Sequence, residues 1–501
     1  MSVITLKCSE VIQALDAQVL SAGESSSLVF KSVSTDTRHI DRDALFVALQ
    51  GPNFNGEDFV AAALNAGAVG VVVSPRFDLA SLDKVAGFDK TWLNSAIILA
   101  VPDTLVALGQ LGRLWQQQLS LNHALKKVAI TGSCGKTTVK ELISQVLQAE
   151  FETLSTEKNY NNEVGVPLTL LRCQPHHQRA VLELGAGKPG DIAYSGQWVQ
   201  PDVVVITNAG AAHLEGMGSL AGVAKTKGEL LDVVSDQGVA VLNADDDFYT
   251  EWRERAKRVT ILSCSLHEES KADLIATDIK QTEDLQTLIR VSLTGTAAAY
   301  LKDKGGDADT LELLTSLQGG HNVLNILQTV AASMVLGASV EAIKKGVKGM
   351  TAVAGRLKSK EGWQSNITLL DDTYNANPNS VKAAIDVLAE LPGQRFLVMG
   401  DMAELGDYSL EAHQEVGAFA RQQGIDQLIA IGRYASATLA GFGAGGIEVS
   451  DFDQAADRLK GLTEDEDVPQ TILFKGSRSA GVDQLVGRLT NELAAADPGQ
   501  H

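Results

Sequence analysis

From Lys127 to Ala256, short apolar runs alternate with amphipathic stretches. KVAIT leads into KTTVKELISQVLQAE, RAVLEL into GDIAYSGQWV, DVVVIT into LAGVAKTKGELLDVV, and GVAVLNADD into DFYTEWRERA. A run that is apolar throughout fits a strand covered on both faces. Apolar residues recurring every three or four positions fit a helix lying on one of those faces. Parallel strands need long crossovers and helices supply them, so strict alternation leaves few architectures open. A mostly parallel, P-loop-type central sheet flanked by helices is predicted for 106–350. The rhythm breaks from about 272 to 315, where DLIATDIK, TLIRVSL and TLELLTSL read as further strands, with a polar turn at 302–309. Helical periodicity returns in HNVLNILQTVAASMVLGAS.

The alternation resumes after 351: ITLLDD, RFLVMGD, QLIAIG and TILFKG are separated by SVKAAIDVLAEL, LEAHQEVGAFARQQ and QAADRLKGL. A Rossmann-like domain fits 351–501, with the tail 494–501 expected to fray. Before residue 105 the elements are short and mixed: SLVFKSVSTDTR, DALFVAL, the helix-like DFVAAALNAG and the strand-like AVGVVVSP. They imply a smaller mixed α/β domain. Because 501 residues exceed what one hydrophobic core holds, a three-domain α/β protein is expected, divided 1–105, 106–350 and 351–501.

The charge balance narrows the ligands. With 42 basic against 62 acidic residues, the net charge of −20 argues against nucleic-acid binding, which draws on many Lys and Arg contacts. An anionic ligand then needs a local cationic pocket or metal ions. No apolar run reaches the roughly 18–20 residues of a membrane span, and MSVITLKCSEVIQAL lacks the pattern of a secretory signal. A cytoplasmic location and a monomeric state are expected. The four cysteines (Cys8, Cys134, Cys173, Cys264) form no C-x-x-C pair, which points to reduced thiols.

One turn in the central block carries the sharpest chemistry. Gly132-Ser133-Cys134-Gly135-Lys136-Thr137-Thr138 lies between a strand and a helix, with Ile130 where a full Walker pattern has its first glycine. Glycines let backbone N–H groups wrap a phosphate, and a helix N-terminus faces the anion. Lys136 would add a mobile positive charge and the Thr137 hydroxyl could ligate Mg²⁺. The plainer alternative is a tight strand-to-helix turn. Glu183 ends another apolar strand, where an isolated carboxylate is costly; a metal ion or a nearby Lys or Arg would resolve that cost. His213 follows a third strand end, as a ligand or as a loop residue, with Lys225 and Lys227 on the helix beyond. In open α/β sheets, ligands bind beyond such carboxyl ends.

TGSCGKTT, NNEVGVPLTLL, LELGAGKPGDI, NAGAAHLEGMGSLAGVAKTKGEL, GGHNVLN, DDTYNANPNS, GDMAELG and KGSRS occur in the order seen in the Mur ligases. The chain resembles that family over most of its length after residue 130, and STDTR with ALFVALQGPNFNGEDFV is similar to a UDP-sugar-binding N-terminal domain. NNEVGVPLTLL, AHLEGMGSLAGVAK and DDTYNANP resemble the member that handles D-alanyl-D-alanine, and the D-N-P-R signature of the diaminopimelate-adding sister is absent. The resemblance implies an ATP-dependent, ADP-forming ligase of peptidoglycan precursor synthesis. It would join D-alanyl-D-alanine to UDP-N-acetylmuramoyl-tripeptide through an acyl phosphate. A sister ligase adding another amino acid, and a non-catalytic nucleotide-binding regulator, are the competing readings.

The same resemblance implies roles for individual residues. Thr137 and Glu183 would hold one Mg²⁺, and Glu183 and His213 would help to hold a second. Lys227 would be carbamylated near that second ion, with Lys225 the alternative if the register slips. Asn322 and Asn325 match the adenine side of ATP, with helix capping the alternative for Asn322. Arg356 and Asp372 match third-domain residues that reach ATP on closure, and Tyr374, Asn375 and Asn377 share a substrate-facing loop. Lys475 and Arg478 are candidate contacts for peptide carboxylates; Thr37, Arg38, Asn55 and Gly56 are candidates for the UDP end. Gly187-Lys188 stands where this pattern often carries Asn-His.

Overall fold

A computed structural model describes residues 4–21, 28–51, 54–282, 284, 286–306, 309–463 and 467–496. Residues 307–308 of the expected polar turn and 497–501 of the expected frayed tail lie outside the described residues. Three sheets organise the rest. The largest has nine strands in the order Thr153–Ser155, Arg179–Glu183, Lys126–Thr131, Val203–Ile206, Val239–Asn243, Thr260–Ser265, Leu274–Gln281, Thr287–Leu293, Thr310–Thr315. The first seven run parallel and the last two are added antiparallel. That junction is where the alternation breaks in the sequence.

The central strands are apolar throughout because both faces are covered. Val204, Ile206, Ala240 and Leu242 point into one core, while Val203, Val205, Val239 and Val241 point into the other. Each such side chain is buried, a gain of about 1.5–3 kcal/mol apiece for the larger ones. The second core is closed by helices Lys136–Gln148, Gly320–Val335 and Val340–Gly349.

The first core is shared. Leu45, Val47, Val72, Ile97 and Leu99 of a five-stranded N-terminal sheet belong to it, together with Ala107, Leu108, Leu111 and Trp115 of the helix Thr104–His123. That helix begins where the first block was expected to end, and it cements the small sheet to the large one. The small sheet runs Gln18–Ser21, Ile97–Ala100, Ala68–Val73, Ala44–Val47, Ser32–Ser34; only the first of these strands is antiparallel to its neighbour.

The third sheet has the order Lys358–Glu361, Ile367–Asp372, Gln470–Lys475, Gln394–Met399, Gln427–Ile431, Gly446–Val449, parallel except at its first pair. Its two faces carry separate apolar clusters. Leu214, beside the expected ligand His213, packs against both the shared core and one of these clusters. The third unit is therefore seated on the central one. Among the described residues, no helix is long and apolar enough to cross a membrane.

Candidate active site

The phosphate-loop candidate forms as the alternation predicts, with strand Lys126–Thr131, then 132–135, then helix Lys136–Gln148. Gly135 occupies the N-cap at φ +82° and no side chain caps the helix, so its first N–H groups remain available to an anion. Gly132 has φ +145°, and a Cβ there would collide with the Thr207 hydroxyl. The loop is stitched to the end of the neighbouring strand. The backbone N–H groups of Ser133 and Cys134 donate to Asn208 at 3.0 Å each, and the Ser133 hydroxyl donates to the Gly210 carbonyl at 3.0 Å. The Lys136 ammonium arches over the turn and donates to the carbonyls of Gly132 (2.7 Å) and Ser133 (3.2 Å). Burial lowers its pKa, against the pull of Glu183.

Glu183 is 4% exposed and makes no ion pair among the described residues. Its two oxygens instead accept from neutral donors, the Thr137 hydroxyl at 2.9 Å and the Asn161 amide at 3.0 Å. The alternative of a Lys or Arg partner is therefore not realised. Thr137 also accepts from Arg356 Nη2 at 2.9 Å, so the third unit reaches the phosphate loop directly. A second bridge joins Cys134 Sγ to the Asn377 side chain at 3.2–3.3 Å. Arg356 lies 4.5 Å from the Tyr374 ring centroid, and its buried Nε has no hydrogen-bond partner.

These groups face a cavity of about 720 Å³, within the ordinary range for a ligand site. Of the expected residues, Ser133, Cys134, Gly135, Lys136, Thr138, Glu183, His213, Asn322, Asn325, Arg356, Asp372, Tyr374, Asn375, Asn377 and Lys475 line it. A second cavity of about 1030 Å³ shares His213, Arg356, Tyr374, Asn375 and Asn377, and adds Thr137 and Arg478. Two compartments thus meet at the Arg356–Tyr374 seam.

Several assignments acquire a physical context. Asn322 does not cap its helix: Gly319 is the N-cap, Asn322 Nδ2 donates to the Gln318 carbonyl at 2.8 Å, and Asn322 Oδ1 accepts from Asn325 Nδ2 at 3.2 Å. Asn377 does cap a helix, Pro378–Ala389, by accepting from Ser380 N–H at 2.9 Å. Lys475 is 2% exposed and its ammonium binds Asp372 Oδ2 (2.9 Å), the Asp372 carbonyl (3.3 Å) and the Asn375 carbonyl (2.6 Å), so it braces the DDTYNANP loop. Burial raises the Asp372 pKa, with Lys475 opposing. Arg478 pairs with Asp483 at 2.9 Å on the surface.

Lys225 is exposed, whereas Lys227 is 1% exposed and makes no hydrogen bond or ion pair among the described residues. Burial and the nearby Lys136 charge lower the Lys227 pKa to about 7. It lines neither cavity and lies near Asp191 and Glu229. Thr37, Arg38, Asn55 and Gly56 line neither cavity. Arg38 is held by Asp36 at 2.6–3.1 Å, Asn55 caps the turn Gly56–Phe59, and Gly56 packs against the Leu49 backbone.

Two contributors escaped sequence reasoning: Asn161, which holds Glu183, and Glu404, which meets His213 across the unit boundary. Both lie in stretches that carried the resemblance, NNEVG and GDMAELG, yet nothing in those strings says which side chain they face.

The oxygen set fits magnesium. Among the described residues, no three His, Cys, Asp or Glu gather into a metal nest. Magnesium commonly needs only one or two carboxylates plus substrate phosphates, whereas a dedicated protein cage is the exception. A buried carboxylate with only neutral partners, beside a hydroxyl at 2.9 Å, supplies such a half-site next to the loop.

Residues 130–333 match the Mur ligase middle domain, and residues 355–478 match the family described as Mur ligase, glutamate ligase domain. The chain is 37% identical over 486 residues to the UDP-N-acetylmuramoyl-tripeptide–D-alanyl-D-alanine ligase of Escherichia coli, covering 97% of this chain and 98% of that one. This chain belongs to the Mur ligase family. A second Mur ligase of the same description, from Haemophilus influenzae, is 33% identical and covers 98% of this chain and 99% of its own. Among solved structures, MurF from Acinetobacter baumannii superposes with TM-score 0.84 at 32% identity, covering 98% of this chain and 100% of that chain. MurF ligase from Thermotoga maritima, solved in complex with ADP, gives TM-score 0.76 at 25% identity over 93% of this chain and 98% of its own. The three-domain α/β fold expected from the sequence, which the motif resemblance tied to the Mur ligases, agrees with these structures, and the chain is an ATP-dependent amide-bond-forming ligase.

Proposed function

We propose that this Mur ligase joins D-alanyl-D-alanine to the terminal carboxylate of UDP-N-acetylmuramoyl-tripeptide. The observation that carries the reading is the convergence of Lys136, Thr137, Glu183 and Arg356 on the seam between two adjoining cavities. One cavity suits a nucleotide and the other suits the peptide that it activates. Full-length similarity to enzymes of that description supports the same substrates.

The chemical problem is to bring a carboxylate and a triphosphate together. The uncapped helix N-terminus, Lys136 and Arg356 supply fixed positive potential at the meeting point, and Arg356 has an unpartnered N–H to offer. A carboxylate oxygen attacks the γ-phosphorus and ADP departs. The dipeptide amine then attacks the acyl carbon, loses a proton, and the tetrahedral intermediate expels phosphate. Mg²⁺ at Thr137 and Glu183, with a second ion shared by Glu183 and His213, would neutralise phosphate charge. Lys227 as a carbamate would add an anion behind that second site. Asn161 keeps Glu183 aimed at Thr137. Arg478, at the rim of the second cavity, and the Tyr374–Asn377 loop would face the peptides, while 1–105 would hold the UDP end.

Phosphate release by the purified chain tests this. Turnover that needs both UDP-N-acetylmuramoyl-tripeptide and D-alanyl-D-alanine is expected. Turnover with the dipeptide precursor and free diaminopimelate or lysine would indicate the sister activity, and no turnover with any pair would indicate a nucleotide-binding regulator.

A further inference from the structure

His213 and Glu404 are both non-glycine residues in the left-handed region, at φ +56° and +61°, and their side chains meet across the boundary between the central and third units. Such backbone is costly for residues with a Cβ and persists where surrounding structure enforces it. Three further contacts surround the pair. Glu215 N–H donates to the Glu404 carbonyl at 3.3 Å, Gly406 lies against Glu215, and Leu214 inserts into a third-unit apolar cluster. On the other side, His413 fixes the Glu404 loop: its Nε2 accepts from Met402 N–H at 3.0 Å and its Nδ1 contacts the Ser409 carbonyl at 2.6 Å.

We propose that Glu404 is a positioning residue that completes the His213 site only when the third unit is seated. Its carboxylate accepts from His213 Nδ1–H, which selects the tautomer whose Nε2 carries a free lone pair. Metal-binding histidines are commonly oriented by such an acceptor on the other ring nitrogen. Here the acceptor comes from a different structural unit, with Leu214 as the apolar peg that seats it. Ligand geometry is thereby tied to closure: an unseated third unit leaves His213 without its orienting group. The inference rests on the ligase reading above.

The test compares Glu404→Ala, Glu404→Gln and Leu214→Ala with the wild type, once the wild type shows phosphate release with both substrates. Loss of an orienting acceptor costs about 10–100-fold in metal affinity or activity. Glu404→Ala should lower kcat by that factor and weaken Mn²⁺ binding to the ADP complex, read from the free-ion EPR signal, while calorimetric ADP affinity stays within about threefold. Glu404→Gln, whose amide oxygen can still accept, should recover most of both. Leu214→Ala should enlarge the radius of gyration of the ADP complex in small-angle scattering and lower kcat alongside. A Glu404→Ala enzyme with wild-type kcat and Mn²⁺ affinity overturns the proposal, as does a Gln variant as impaired as the Ala variant. An inactive wild type with intact Mn²⁺–ADP binding would instead count against the ligase reading, and the Mn²⁺ comparison would still decide the role of Glu404.

Discussion

Lys227 offers the sharpest perturbation. It sits at 1% exposure on the helix Leu220–Gly228, without a hydrogen bond or ion pair among the described residues, and burial with the Lys136 charge brings its pKa from 10.5 to about 7. Only the neutral amine attacks CO₂. At pH 7 about half of the Lys227 amine is neutral, against roughly one part in three thousand for an ordinary lysine, a gain on the order of a thousandfold. The carbamylation proposed above would draw on that neutral fraction; Lys225, exposed two positions away, lacks the burial that produces it. Three results are expected. ¹³C-bicarbonate should give a carbamate signal in the wild type that Lys227→Ala lacks. Lys227→Ala should be inactive in phosphate release and partly rescued by short carboxylic acids. CO₂-stripped enzyme should regain activity about tenfold more slowly at pH 6 than at pH 8 at fixed dissolved CO₂, because protonation removes the nucleophile below the pKa. Full activity of Lys227→Ala without added acid, or recovery independent of pH, would refute the reasoning.

Other expectations follow from single contacts. Gly132→Ala places a Cβ against Thr207 at φ +145°; strain of about 1–3 kcal/mol should weaken ADP binding roughly tenfold in calorimetry, and unchanged affinity would show that the loop tolerates a side chain. Lys475→Met leaves the buried Asp372 carboxylate without its cation, so urea unfolding should report a loss of about 3–5 kcal/mol, and a loss below about 1 would show that the pair is not structural. His413 is held neutral by burial, with its pKa below the ordinary 6.5. The unfolded chain therefore takes up the proton first as pH falls, so its contribution to stability is full above pH 6.5 and declines below it. The wild-type Tm should drop further between pH 7.5 and 5.5 than that of His413→Gln, and parallel curves would contradict this.

The central sheet was legible because its strands are apolar on both faces, which only a covered parallel sheet explains, and because Gly135-Lys136-Thr137 falls at a strand-to-helix joint. Glu183 was legible for a related reason: a carboxylate closing such a strand needs a purpose. Neither the strand Ile97–Ala100 nor the helix Thr104–His123 that follows it was assigned from the sequence, and the helix's role in fusing the first sheet to the second emerges only from packing. Lys475 reads as a contact for a peptide carboxylate in sequence; the fold gives its ammonium an anion within the chain, the Asp372 carboxylate, together with the Asp372 and Asn375 carbonyls, and that partner is set by packing. Glu404 was illegible because its meaning comes from docking against His213, far away in the chain, and because left-handed backbone at His and Glu has no marker in sequence.

The central claim is that the rim of the nine-stranded sheet receives ATP phosphates through a magnesium ion at Thr137 and Glu183. Anomalous diffraction from crystals grown with a non-hydrolysable ATP analogue and Mn²⁺ tests it directly. A peak within about 2.0–2.3 Å of both Thr137 Oγ1 and a Glu183 carboxylate oxygen, with phosphates on the 132–138 turn, is the expected result. Nucleotide bound elsewhere, or bound on that turn with Thr137 and Glu183 still hydrogen-bonded to each other and no ion between them, would contradict the account.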